Sequence, residues 1–157
     1  MDIASDIRRH LADEWIGAVY REIRDGRTRS VRLEHPEREN QAEIQYTLLG
    51  IELKVGKRRF AAPDLATARY MRVFARIGCR EFAVPYDITQ ISAIADRLET
   101  SWQTTLLLLD DRTKHLSQRS RSLTRSKLIK TLREEIAKIG AGELMPLFNR
   151  ETRQRKR

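Results

Sequence analysis

Residues 42–61 read AEIQYTLLGIELKVGKRRFA, and this stretch decides the predicted fold. Apolar residues occupy alternate positions, first at Ala42, Ile44, Tyr46 and Leu48 and then at Ile51, Leu53 and Val55. A period of two is typical of strands that bury one face. Gly56 and Lys57 interrupt the pattern, with glycine at the first central position of a type II′ hairpin turn. Residues 58–61 are therefore the predicted return strand of an antiparallel hairpin.

The segments around this hairpin predict further strands without helical crossovers. Residues 29–33 alternate in the same way, and residues 35–40, which include Pro36, are typical of a loop. Residues 81–84 form a short apolar run before Pro85, which indicates one more strand. Because loops rather than helices join the first strands, we expect an antiparallel β-meander of three to four strands plus one short strand, instead of parallel βαβ units.

Apolar residues that repeat every three or four positions predict four helices. The four are residues 2–25, ending at Gly26; a segment from the N-cap Asp64 to Gly78; about six turns from Ile88; and a segment around Leu128, Leu132 and Ile136 that ends at Gly140. Residues 117–124, rich in Ser and Thr, are predicted to be a hinge or a fraying linker. The predicted fold class is α+β, with amphipathic helices packed on the meander and a C-terminal basic helical arm.

Composition places the chain among small globular proteins. Its 157 residues suit one domain, and with 40% hydrophobic residues it has enough apolar side chains for a core. No apolar run approaches the about 18 residues of a membrane span, so we expect no integral membrane insertion. The N-terminal residues lack the apolar stretch of a signal peptide, and Cys79 is the single cysteine. We therefore expect a cytoplasmic protein.

The net charge of +9 is concentrated near the C-terminus. Residues 1–111 carry 17 basic and 18 acidic side chains, whereas residues 112–157 carry 14 basic and 4 acidic ones. This contrast predicts two parts: a neutral α+β body, residues 1–111, and a basic helical C-terminal extension, residues 112–157.

The basic extension predicts a polyanionic partner, because its cations have no neighbouring carboxylates along the chain from 112 to 133. The candidate nucleic-acid-binding residues are Arg112, Lys114, Arg119, Arg121, Arg125, Lys127, Lys130, Arg133, Arg153, Arg155, Lys156 and Arg157. A second patch is predicted from Lys57, Arg58, Arg59, Arg69, Arg72 and Arg76. The favoured function is that of a non-enzymatic adaptor that binds nucleic acid or a ribonucleoprotein through its basic arm.

Glu52-Leu53-Lys54 supports an alternative interpretation. A Glu-x-Lys on a strand, with one helix before it and another after it, resembles the ExK half of the PD-(D/E)xK nuclease superfamily. The resemblance implies a metal-dependent nuclease, in which carboxylates hold a divalent cation and a lysine lies near the scissile phosphate. The family's upstream Asp has no counterpart, because residues 26–51 contain no Asp, so Glu39 or Glu43 takes its place in this interpretation.

A third hypothesis is a scaffold for an acidic protein partner, which the same cations predict. Homo-oligomerisation is compatible with all three functions. His10, His35 and His115 are isolated from one another and from Cys79, so the sequence predicts no metal site. Glycine-rich phosphate-binding motifs are absent from the sequence, so no cofactor is predicted either.

Overall fold

The computed structural model describes residues 2–143, which form five helices and five strands. The helices are α1 Ile3–Leu11, α2 Ile16–Asp25, α3 Leu65–Ile77, α4 Ile88–Thr113 and α5 Gln118–Ile139. The strands are β1 Thr28–Arg32, β2 Ala42–Thr47, β3 Gly50–Val55, β4 Arg58–Ala62 and β5 Glu81–Pro85. The α+β class is confirmed. None of the helices within residues 2–143 is long and apolar enough to cross a membrane.

Strands β2, β3 and β4 form the antiparallel meander that the alternating sequence predicts. Leu53 lies between Ile44 and Phe60 in the register, and this apolar row packs toward helix α3. Gly56 has φ of +60° at the β3–β4 turn, a conformation that glycine adopts without a steric penalty. The alternating apolar residues and the glycine at the turn are therefore sufficient to predict this hairpin.

The expectation that residues 29–33 extend the meander is wrong. Strand β1 pairs instead with β5 in a separate antiparallel sheet of two strands, with Val31 opposite Phe82. Phe82 is fully buried, and its ring stacks on that of Phe74 with centroids 4.6 Å apart. Strand β5 is thus buried against helix α3, and β1 pairs with β5 although about 50 residues separate the two strands along the chain.

Tyrosine hydroxyls cover polar backbone groups of the buried strand β5. The Ala83 N–H donates to the Tyr20 hydroxyl at 2.8 Å, and the Tyr70 hydroxyl donates to the Ala83 carbonyl. The Tyr20 hydroxyl in turn donates to the Gly140 carbonyl at 2.6 Å, just after helix α5. Burial raises the pKa of Tyr20 to about 12, so this hydroxyl stays protonated near neutral pH. One side chain therefore joins α2, β5 and the end of α5.

The single helix predicted for residues 2–25 is also wrong, because the chain breaks it between α1 and α2. Ala12 has φ of +49°, and Trp15 is extended, so the apolar repeat continues while the backbone changes direction. The Trp15 indole N–H donates to Glu135 Oε2 at 2.8 Å, and Arg8 donates to Glu135 Oε1 at 2.6 Å. Gly17 completes the site, since a Cβ there would lie 2.5 Å from the carboxyl carbon of Glu135.

Helix α5 packs into the core, where Leu128, Ile129, Leu132 and Ile136 are buried. The predicted hinge at residues 117–124 is wrong, because Ser117 caps the helix and accepts a hydrogen bond from the Ser120 N–H at 3.2 Å. The predicted boundary at residue 111 falls inside helix α4. The final cluster of the predicted arm, Arg153, Arg155, Lys156 and Arg157, lies outside the described residues.

Replacing Glu135 with Ala is expected to lower the free energy of unfolding by about 1–3 kcal/mol, because the buried Trp15 N–H loses its acceptor. Chemical denaturation measures the change. Glu134→Ala is the matched control, because Glu134 is exposed. Its only ion pair among residues 2–143 is with Lys130, at 4.0 Å. Equal losses in the two variants would contradict the assigned role of Glu135.

Tyr20→Phe is expected to cost about 1–3 kcal/mol, because the Ala83 N–H and the Gly140 carbonyl both lose a partner. Tyr46→Phe removes the same hydroxyl from a side chain that is 72% exposed, and it should change stability by less than about 0.5 kcal/mol. Thermal unfolding of both variants checks the difference. A Tyr20→Phe protein as stable as wild type would exclude a structural role for this hydroxyl.

Candidate functional site

Most cations of the predicted arm that the structure describes lie close to an acceptor in the folded chain. Their contacts are Arg112 with Asp6, Lys114 with Asp111 at 3.3 Å, Arg121 with Asp110 at 4.0 Å, Arg125 with Glu39 at 2.6 Å, Lys130 with Glu134 at 4.0 Å, and Arg133 with the Ile77 carbonyl at 3.2 Å. The absence of carboxylates between residues 112 and 133 therefore does not leave all of these cations unpaired. Asp6 and Glu39 come from segments far along the chain, which a reading of neighbouring residues misses.

The contact between Arg125 and Glu39 has the strongest geometry of this set. Arg125 Nε and Nη2 donate to the two carboxylate oxygens at 2.9 and 2.6 Å. Such a bidentate pair fixes orientation as well as distance. The hydrogen bonds to Glu39 raise the pKa of Arg125, which keeps the guanidinium charged. This contact fastens the N-terminal half of α5 to the loop before β2.

Four cations remain on the solvent-exposed side of α5, and we call them the outer face: Arg119, Lys127, Lys130 and Lys138. Helical geometry places them within roughly 100° of one another over about 28 Å of helix. Lys127 acts electrostatically on Asp2, and Lys130 has the 4.0 Å contact with Glu134. Arg119 and Lys138 have no ion-pair partner within residues 2–143. The charge pattern of the sequence predicts Arg119, Lys127 and Lys130 but misses Lys138, although the spacing of Lys138 continues the same face.

The predicted second patch divides into two groups in the fold. On α3, Arg69 binds Asp96 and Glu99, and Arg72 donates to Glu99 at 2.9 Å, so α4 neutralises both cations. At the β3–β4 hairpin, Lys57 and Arg58 are exposed without an ion-pair partner among residues 2–143. Arg59 lies on β4, 3.9 Å from Glu52.

Arg76 lies apart from both groups, in a groove of about 390 Å³ at the C-terminal end of α3. Trp102 and Leu106 of α4 line the groove, together with Arg125 of α5. The loop and first residues of β2 contribute Glu39 and Glu43. One groove thus contains Arg76 of the predicted second patch and Arg125 of the predicted arm. It also contains Glu39 and Glu43, the two substitute carboxylates of the nuclease interpretation.

Glu52 and Lys54 lie on the polar face of the meander, opposite the buried Leu53. Lys54 is cross-strand from Glu43 and from Arg59, and one carboxylate oxygen of Glu52 is buried without a hydrogen-bond partner. Within residues 2–143, no group of three His, Cys, Asp or Glu side chains is placed to hold a metal ion. Glu39, one of the two substitute carboxylates, is bound to Arg125.

His35 and Cys79 connect the loop before β2 to the end of α3. His35 Nε2 lies 3.0 Å from the Cys79 carbonyl, and His35 is 3% exposed. Burial raises the pKa of the Cys79 thiol to about 12, which opposes formation of the nucleophilic thiolate. These two residues therefore have a structural role in this fold.

Comparison of the chain with protein-family models, with curated proteins and with solved structures gives no match.

The Arg69–Glu99–Arg72 cluster predicts a pH dependence of stability. Burial alone raises the pKa of Glu99, but hydrogen bonds from Arg69 and Arg72 outweigh it and hold the pKa below its ordinary value. A carboxylate with a lowered pKa stabilises the fold above its unfolded-state pKa, and this stability is lost as the pH falls through the folded-state pKa. Stability should therefore decline in acid below the ordinary glutamate pKa.

Urea unfolding of wild type and Glu99→Gln across the acid range measures this effect. The variant is expected to be less stable near neutral pH and to approach the stability of wild type as the pH falls. Glu22→Gln is the control, because Glu22 also pairs with an arginine, Arg97, but is 63% exposed. A difference between wild type and Glu99→Gln that is independent of pH would contradict the assignment.

Proposed function

We propose that this chain is a non-enzymatic nucleic-acid-binding adaptor, which contacts the phosphate backbone through the outer face of α5. The observation that carries the proposal is the division of charge on this helix. The acids of the body neutralise the inward-facing Arg121 and Arg125, whereas the outer face keeps its cations in solvent. An exposed row of cations gains free energy by releasing counterions from a polyanion.

The side chains between these cations support backbone contacts over base recognition. Ser122 and Ser126 are exposed on α5 and are suited to donate hydrogen bonds to phosphate oxygens. Aromatic side chains, on which bases stack, are absent from α5. We therefore expect binding that depends strongly on salt and weakly on base sequence, to duplex or single-stranded nucleic acid.

Removing residues 112–157 is not a usable test, because α5 supplies four buried core residues. Point substitutions on the outer face avoid that difficulty. The test variant is Arg119→Gln/Lys127→Gln/Lys130→Gln, and the matched control is Lys57→Gln/Arg58→Gln/Arg59→Gln on the β3–β4 hairpin. Both remove three positive charges, and the control also tests the predicted second patch.

Fluorescence anisotropy with a labelled DNA duplex and a labelled single-stranded RNA, over a series of salt concentrations, measures the affinity. Wild type should bind with log affinity that falls linearly with log salt, and the outer-face variant should reduce this slope by roughly 2–3. The hairpin variant should retain most of the wild-type slope.

Three results would overturn the proposal. Equal losses in both variants would mean that only total charge matters. The absence of binding by wild type would favour an acidic protein partner instead. Magnesium-dependent cleavage of the probe that is lost in Glu52→Gln would favour the nuclease interpretation.

A further inference from the structure

Arg76 is a partly buried cation without an ion-pair partner among residues 2–143. Within residues 2–143 its guanidinium makes one hydrogen bond, from Nη2 to the Ala42 carbonyl at 3.1 Å, which leaves other guanidinium N–H groups available. Burial, with a smaller contribution from Arg72, lowers the pKa of Arg76, so the folded protein disfavours this charge. A partly desolvated cation beside a cavity, with one hydrogen bond to the backbone and no ion pair, is a candidate for a ligand site.

The groove beside Arg76 supplies further donors. Trp102 lines it, and its indole N–H makes no hydrogen bond within the described part of the chain. Arg125 enters from α5, with its orientation fixed by two hydrogen bonds to Glu39. The volume of about 390 Å³ is large enough for a phosphate group and part of the molecule that carries it.

The acids of the groove differ in their effect on an anion. Glu39 is neutralised by Arg125, so its charge is compensated. Glu43 is exposed, has no ion pair among residues 2–143, and raises the pKa of Arg76 through its charge. Glu43 therefore attracts Arg76 but opposes an incoming anion.

We propose that this groove is a binding site for a phosphate group, held by Arg76 and by the indole N–H of Trp102. The phosphate is that of a free phosphomonoester or of a nucleic-acid terminus. The guanidinium provides charge and paired donors, whose planar geometry suits phosphate oxygens. This inference does not depend on the outer face of α5, which is a separate surface.

The two tryptophans make the proposal measurable by NMR of the indole N–H signals in the full chain. Titration with inorganic phosphate should shift the Trp102 signal, which the Trp102→Phe variant identifies. The Trp15 signal is the internal control, because its N–H is already donated to Glu135 in a different groove. A shift of neither signal, or of both equally, would overturn the proposal.

Three variants test the assigned roles. Arg76→Gln should weaken phosphate binding at least roughly tenfold, as expected for the loss of a charged hydrogen bond. Glu43→Gln should tighten binding severalfold, because it removes an opposing charge. Arg58→Gln, which removes a positive charge from a side chain that does not line the groove, should change nothing. If the amide spectrum shows that Arg76→Gln is unfolded, Arg76→Lys replaces it and should weaken binding, because lysine lacks the paired donors.

The source of the phosphate is distinguished with two oligonucleotides of identical sequence, one with a 5′-phosphate and one with a 5′-hydroxyl. A Trp102 shift with the first alone indicates a nucleic-acid terminus, whereas a shift with a nucleoside monophosphate and with neither oligonucleotide indicates a small molecule. The outer-face variant of α5 should keep its response to inorganic phosphate. The two proposals can therefore fail separately. If phosphate does not shift the Trp102 signal of wild type, the phosphate site in the groove is excluded, but nucleic-acid binding by the outer face of α5 is not.

Discussion

The carboxylate of Glu135 is the interaction on which the position of the basic helix depends. It accepts hydrogen bonds from Arg8 of α1 and from Trp15 at the break between α1 and α2, and it lies against the bare backbone of Gly17. An arginine side chain, an indole and a glycine from three consecutive segments thus converge on one residue of α5. Because the Trp15 side chain is buried, its N–H needs this acceptor, which couples the bend of the N-terminal helices to the docking of α5.

Docking of α5 divides its cations into two sets with different surroundings. Leu128, Leu132 and Ile136 face the core, so the flanking arginines at 121 and 125 lie close to acids of the body. The other side of the helix faces solvent and keeps Arg119, Lys127, Lys130 and Lys138 exposed. Neutralisation of one set removes much of the self-repulsion of the helix, while the second set leaves a positive surface.

The groove at Arg76 also results from neighbouring elements that neutralise some cations of a helix and not others. Helix α3 presents Arg69, Arg72 and Arg76 on one side, but Glu99 and Asp96 of α4 reach only the first two. The third lies at the end of α3, where the loop before β2 and helix α5 complete the wall. A regular row of arginines on one helix thus has different surroundings, because its neighbours change along its length.

Local sequence was sufficient for the meander and for most helices, since the period of apolar residues and the turn chemistry at Gly56 depend on nearby residues. Local sequence was insufficient where contacts between distant segments override the local preference for helix or strand pairing. The apolar repeat through residues 2–25 predicts one helix, yet Trp15 leaves the helix to reach Glu135, 120 positions later. Strand β1 follows the same period as β2, but its partner β5 is chosen by burial against Phe74.

The amino-acid sequence by itself determined the α+β class, the hairpin and the concentration of positive charge near the C-terminus, because these follow from composition and short-range periodicity. The tertiary structure decided which cations are neutralised. Arg112 meets Asp6 across 106 positions, and Arg125 meets Glu39 across 86. Coulomb interactions depend on distance in space, so the charge pattern along a chain predicts a surface only after folding has brought its acids and bases together.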